Sequence, residues 1–306
     1  MTESIIDFET HKIKAGDHLV RGIAADGMIR AFAVCARDTV QTERDCHHTS
    51  PVVTAALGRL MMGAPMMGAM LKGEDELVTL TVRGDGPIGG ITVTANTHGD
   101  VKGFANHPNV WLDLNSRGKL DVGGAIGAGS LTVVRDMPGI EPYVSQVELV
   151  SGEIGDDLAS YFLLSDQVPT SVGVGVLVDR NLDVKQAGGF ILQLMPGHYE
   201  YLVDELEANL AGVSSVTNLM ESGMGPTDML EYLLRGMDYQ ELDVKPVRFH
   251  CGCNTERASR VMLALGADEL QSMVDAGEPG EAHCHFCGRR HTFTSEQLRE
   301  LLANAR

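Results

Sequence analysis

Apolar and polar residues alternate with a period of two along much of the first two thirds of the chain. Val78, Leu80 and Val82 alternate with Thr79, Thr81 and Arg83, and after Gly84-Asp85-Gly86-Pro87 the pattern resumes with Ile91, Val93 and Ala95 against Thr92 and Thr94. Successive side chains of a strand point to opposite faces, so this pattern predicts a half-buried antiparallel sheet. Two further apolar runs, from His18 and from Met28, flank the turn dipeptide Asp26-Gly27 and predict a hairpin. Strands are also predicted at residues 131–134, 143–150, 172–178 and 190–194, and helices at 51–71 and 156–164. Pro65 lies inside the first of these helices and predicts a kink there.

From His198 to Val247 the period lengthens. Tyr201, Leu202, Leu206 and Leu210 form one helical stripe and Met229, Leu230, Leu233 and Leu234 another, while Gly212, Gly223, Gly225 and Pro226 exclude one continuous helix. Short helices between breakers gain little stability alone, so they are expected to dock on a neighbour. Beyond Arg248, Asn254 or Thr255 can cap a helix with apolar positions Ala258, Val261, Met262 and Leu265, ended by Gly266. Leu270, Met273 and Val274 mark a second helix, and Thr294-x-x-Gln297 has the form of a capping box. The chain is therefore expected to be α+β. It has a β-rich N-terminal domain with interposed helices over 1–197, a helical linker over 198–247, and a small C-terminal domain over 248–306.

That last domain has a small apolar core and two cysteine pairs, Cys251-Gly-Cys253 and Cys284-His-Phe-Cys287. Two short loops that each give two thiolates suit one tetrahedral zinc ion, and the same spacings suit two local disulfides. A purely structural zinc site is the commoner use of four such cysteines. Metal binding contributes on the order of 10 to 16 kcal/mol in small metal-folded peptides, which is the scale of staple so small a core needs. A zinc enzyme, hydrolase or thiol oxidoreductase, is the principal alternative, although four thiolates would close the shell that a catalytic zinc keeps open. His250, His283, His285 and His291 could alter that count. Val34-Cys35-Ala36 reads as a strand with a buried thiol, and Cys46-His47-His48 lacks a third ligand or an orienting acid. The glycine-rich run from Gly123 to Gly129 has neither nucleotide-binding spacing nor a following Gly-Lys-Ser/Thr and reads as a flexible turn. The methionines at 61–70 read as core.

Composition narrows the partners. A net charge of -18 over 306 residues disfavours a nucleic-acid partner, because phosphate binding depends on a basic surface. The longest apolar stretch, Ala55 to Leu71, is short for a span and carries Arg59 and Pro65, which disfavours a membrane role. The start of the chain has no basic stretch followed by an apolar run, so a cytoplasmic location with reduced thiols is expected.

Phe249-His-Cys251-Gly-Cys253-Asn-Thr-Glu256-Arg257 and Cys284-His-Phe-Cys287 resemble the heat-shock protein 33 family of redox-regulated 33-kilodalton chaperonins. The resemblance extends over most of the chain. It includes Ser50-Pro51, Ala55-Ala-Leu-Gly-Arg59, Gly84-Asp-Gly-Pro87, Tyr161-Phe162-x-x-Ser165-Asp-Gln167-x-Pro169-Thr170 and Gly188-Gly189-x-x-x-Gln193-x-Met195-Pro196. It implies an ATP-independent holdase, not an enzyme, that binds unfolding client proteins under oxidative stress and forms a homodimer when activated. It also implies one Zn2+ per chain in the reduced state, held by Cys251, Cys253, Cys284 and Cys287. On oxidation, disulfides Cys251-Cys253 and Cys284-Cys287 are expected, each joining cysteines already close in the chain. Arg257, Arg260, Arg289 and Arg290 are placed to offset the negative charge of four thiolates.

Overall fold

In the computed structural model, which describes residue 10 and residues 12–304, the Asp26-Gly27 dipeptide joins antiparallel strands β1 (His18–Ala24) and β2 (Ile29–Cys35). Asp26 and Gly27 take φ of 53° and 84°, the left-handed conformation that these residue types tolerate best. Helix α1 (Arg37–His47) follows, unannounced by the apolar pattern because only Thr39, Val40 and Glu43 are buried on it. Helix α2 (Pro51–Gly68) begins with proline in its first turn and runs through Pro65, which falls in its last turn, with the Pro65 carbonyl still accepting the Ala69 amide.

The predicted alternation forms strands β3 (Leu77–Gly84) and β4 (Ile91–Asn96), joined by a strand missed in the sequence, β5 (Asp100–Ala105). Residues 122–126 form a short helix, α3 (Val122–Ile126), capped by Asp121, so the first half of the glycine run is helical rather than a flexible turn. Then come β6 (Gly129–Asp136), β7 (Tyr143–Glu148), α4 (Gly155–Leu164), β8 (Thr170–Val178) and β9 (Val184–Leu194). Helices α5 (Glu200–Ala211), α6 (Val216–Glu221) and α7 (Pro226–Leu233) are the breaker-separated segments. The linker region does not end as helix: β10 (Gln240–Pro246) pairs with β1, and β11 (Arg248–Phe249) pairs in parallel with β5. The more compact division of the chain falls between Phe249 and His250, two residues beyond the expected boundary.

Two sheets result, β10-β1-β2-β9-β8 and β11-β5-β4-β3-β6-β7. Helix α2 packs against strands of both, and every residue in it except Pro51 and Arg59 is buried. Its glycines allow the close approach: a Cβ on Gly63 would stand 2.6 Å from Leu158 Cδ1. Met61, Met62, Met66 and Met67 belong to this core. The five-stranded sheet is apolar on both faces. Phe32 and Val34 point into the α2 core, whereas Ala31 and Ala33 between them face a second core with Leu206, Met229 and Leu233 from the linker helices. Small residues on that face let the helices lie close to the strands.

The second unit has α8 (Thr255–Leu263), α9 (Ala267–Ala276), the hairpin β12 (Gly280–His283) and β13 (Arg290–Phe293), and α10 (Ser295–Asn304). Its core is Ala258, Met262, Leu270, Phe293, Leu298 and Leu302. The stripe on α8 is narrower than predicted, with Val261 and Leu265 exposed. Asn254 caps α8 by accepting the Arg257 amide at 2.8 Å, and Thr294 and Gln297 form the reciprocal capping box. Among the described residues, no helix is long and apolar enough to cross a membrane.

Glu43 is the exception in the large core. It is fully buried and neither carboxylate oxygen has a hydrogen-bond partner. Burial, with a smaller contribution from Asp45, pushes its carboxyl up to about 8. Between the ordinary carboxylate range and that value the folded chain holds a proton the unfolded chain has lost, so this residue makes stability fall as pH rises. We expect Glu43→Gln, which mimics the protonated form, to be more stable than the parent at pH 8 by on the order of 3 kcal/mol and nearly equal to it near pH 5. Urea unfolding at the two pH values checks this, and a pH-independent difference would show that Glu43 is not the titrating group.

Candidate metal centre

The four cysteines of the second unit come from two loops, one before α8 and one at the tip of the β12–β13 hairpin. Cys251 and Cys253 lie on the segment before α8, and the Asn254 cap, itself in extended conformation, fixes where that segment turns into the helix. Cys284 and Cys287 sit at the tip of the β12–β13 hairpin, whose register runs from Gly280 opposite Phe293 to His283 opposite Arg290. The Cys284 amide donates to the Arg289 carbonyl and the Gly288 amide to the Cys284 carbonyl, each at 2.9 Å. Gly288 has φ of 65°, so a residue without Cβ closes the knuckle at least cost.

All four sulfurs lie within 4.8 Å of one another, each on a partly buried residue. The short contacts cross between loops: Cys251 Sγ to Cys284 Sγ is 3.5 Å and Cys253 Sγ to Cys287 Sγ is 3.4 Å. Zinc–sulfur bonds of about 2.3 Å arranged tetrahedrally place sulfurs about 3.8 Å apart. The cluster therefore has the size and donor set of a single thiolate-bound ion, and the four cysteines would be its ligands.

Electrostatics point the same way. Burial raises the thiols of Cys251, Cys253 and Cys287, the last to about 11, although backbone amides of Cys253 and Arg289 donate to Cys251 and Cys287 and partly offset it. Burial also opposes ionisation of Cys284, but the amides of Phe286 and Cys287 and the Cys251 thiol outweigh it and hold Cys284 below its ordinary value. Four crowded sulfurs cannot all carry charge by themselves; a dication removes the obstacle. Amide donors at the knuckles are the part of the site that sequence reasoning missed, because they come from backbone and leave no residue-type signal.

The four arginines sort into two pairs. Arg260 is engaged by Glu256 at 2.5 Å and Arg290 by Glu281 at 3.4 Å. Arg289 donates to the Cys253 carbonyl at 3.5 Å, and Arg257 Nη1 lies 3.4 Å from where a Cβ on Gly252 would stand. This second pair borders the cysteine loops. None of His250, His283, His285 and His291 is among the clustered ligand residues; His283 faces Glu281, and buried His291 leaves Nε2 without a hydrogen-bond partner. Cys35 at the end of β2 and Cys46 on α1 also stand outside the cluster, and burial pushes the Cys35 thiol up to about 12.

Comparison with known proteins gives one answer. The model of the Hsp33 protein family matches residues 17–294. The 33 kDa chaperonin of Agathobacter rectalis is 48% identical over 93% of this chain and 99% of its own length, and that of Bacillus licheniformis is 46% identical over 93% and 98%. The crystal structure of the 33 kDa chaperonin (heat shock protein 33 homolog) of Thermotoga maritima superposes with a TM-score of 0.88 at 37% identity, covering 94% of this chain and 98% of that one. By fold and by sequence over nearly its whole length, the chain belongs to the Hsp33 family of 33 kDa chaperonins.

Proposed function

We propose that this chain is a redox-regulated, ATP-independent holdase of the cytoplasm, quiescent while its cysteines hold one zinc ion and active toward unfolding proteins once they are oxidised. The observation that carries this reading is the single cluster of four sulfurs in a unit with a six-residue apolar core. Zinc, when bound, keeps the four thiolates deprotonated and supplies folding energy that so small a core lacks. No coordination position remains for a substrate if all four cysteines are ligands, which favours a switch over a zinc hydrolase.

Oxidation acts on the sulfurs themselves. Each pair of thiolates gives two electrons to a peroxide and forms one S–S bond, and the ligand set is lost. The pairing we propose is Cys251-Cys253 and Cys284-Cys287. In the folded cluster contacts of 3.5 and 3.4 Å join Cys251 to Cys284 and Cys253 to Cys287, but those partners are 33 and 34 residues apart in sequence. Once the unit opens, the short loops keep their own cysteines together, and loop-closure entropy disfavours the distant partners.

Client binding then falls to surfaces that α5–α7 cover. Leu202, Leu206, Met229, Leu230 and Leu233 are buried against the five-stranded sheet. Release of these short helices uncovers apolar residues on both sides of that interface, a surface suited to unfolded segments and to a second activated copy. The partners we propose are unfolding client proteins and, in the active state, a homodimer partner. The acidic charge disfavours nucleic acid.

Reduced protein is expected to carry one zinc per chain by metal analysis. Cys284→Ser should lower zinc affinity by orders of magnitude, and unchanged zinc content in that variant would refute the ligand assignment. Peroxide-oxidised, zinc-free protein should suppress light scattering from a thermally unfolding enzyme without ATP, and reduced protein should not; equal suppression by both would refute the redox switch.

A further inference from the structure

Gly252 stands between two of the clustered cysteines, and its missing side chain leaves an open niche on the Cys251–Cys253 loop. A Cβ there would lie 3.4 Å from Arg257 Nη1 and 3.6 Å from His250 Nε2, and among the described residues no other group outside the adjoining residues comes within 4 Å of it. From the β12–β13 knuckle, Arg289 reaches across to donate to the Cys253 carbonyl at 3.5 Å. All three residues are exposed. Their neighbours differ in charge balance: Arg260 is engaged by Glu256 and Arg290 by Glu281, so each of those cations already has an acid. Among the described residues Arg257 and Arg289 form no ion pair. In a chain of net charge -18, two such cations at one loop are a local exception.

Four thiolates around a dication keep two surplus negative charges. Such a site repels an anionic oxidant and is indifferent to neutral hydrogen peroxide. Two guanidiniums at its rim balance the surplus, and their N–H groups are the donors best matched to an oxyanion. The glycine leaves room for one beside the sulfurs. A longer residue at this position would fill the space between the Arg257 and His250 side chains.

We propose that Arg257 and Arg289 determine oxidant specificity: they hold an anionic peroxide at the Gly252 niche and direct it onto Cys251 or Cys253 ahead of Cys284 and Cys287. With peroxymonosulfate, the thiolate attacks the hydroxyl oxygen of the peroxide; an S–O bond forms, the O–O bond breaks and sulfate leaves with the electron pair. The resulting sulfenic acid is then attacked by the second thiolate of the loop. An S–S bond forms, hydroxide leaves, and the two cysteines have given two electrons to the peroxide. This inference rests on the proposed function and names the class of oxidant that the site takes.

Mass-spectrometric mapping of the first cysteine oxidised, in reduced wild-type protein given less than one equivalent of oxidant, tests this directly. Peroxymonosulfate should reach Cys251 or Cys253 first, and potassium nitrate at about 1 M, where the screening length falls to about 3 Å, should remove the preference. The pattern with hydrogen peroxide should not change with salt. A wild-type protein in which peroxymonosulfate shows no preference for that loop, or one that salt leaves intact, overturns the proposal. Arg257→Gln combined with Arg289→Gln should slow thiol loss to peroxymonosulfate about tenfold at low salt and leave the rate with hydrogen peroxide within about twofold. Arg260→Gln, which removes a cation already paired, should alter neither rate. Equal slowing with both oxidants, or the same effect from Arg260→Gln, would also overturn it. If thiol loss follows the expected pattern while client binding stays off, the arginine assignment stands and the redox switch fails. Should the double variant no longer fold, the wild-type mapping decides the matter.

Discussion

Four sulfurs within 4.8 Å of one another are a stable set of thiolates only around a cation, and the rest of the second unit depends on that constraint. Its core consists of six residues from three helices and one strand. The knuckle amides lower the cost of charge on individual sulfurs but cannot neutralise four. On the proposed function, folding of this unit and the protonation state of its cysteines are one equilibrium, and chemistry that changes the sulfurs changes the fold.

The first unit is built on the opposite principle. Helix α2 is buried along nearly its whole length between two sheets, and alternate residues of β2 feed two separate cores. The α2 core takes one buried residue, Val247, from the linker. The second core takes its outer half from α5–α7, short helices whose apolar stripes cover it. The proposed function requires that the small unit and the linker cover open while the two sheets around α2 persist.

Much of this was legible in the sequence where one physical signal dominated. Asp26-Gly27 fixed a turn, the threonine alternation at 79–94 fixed a sheet face, and Thr294 with Gln297 fixed a helix start. The gathering of the four cysteines was legible because they stand in two closely spaced pairs. Elements whose structure comes from their partners were not. α1 is mostly polar, β5 hides its alternation behind Gly103 and Ala105, and β10 has an exposed, charge-rich sequence that becomes a strand only because β1 offers it an edge. Pro65 does not end the helix: it falls in the last turn, where α2 is enclosed by both sheets. The arginines could be counted but not sorted until Glu256 and Glu281 were seen to engage two of them.

The central claim is that the metal, rather than the redox state as such, holds the second unit folded. Removing zinc with a chelator while all cysteines stay reduced separates the two, and two-dimensional amide NMR reads each unit independently. The account predicts that resonances of residues 250–304 collapse to unfolded positions, while those of the strands at 78–96 keep their dispersion, and that adding zinc back restores the spectrum. A second unit that stays folded when reduced and metal-free would contradict it.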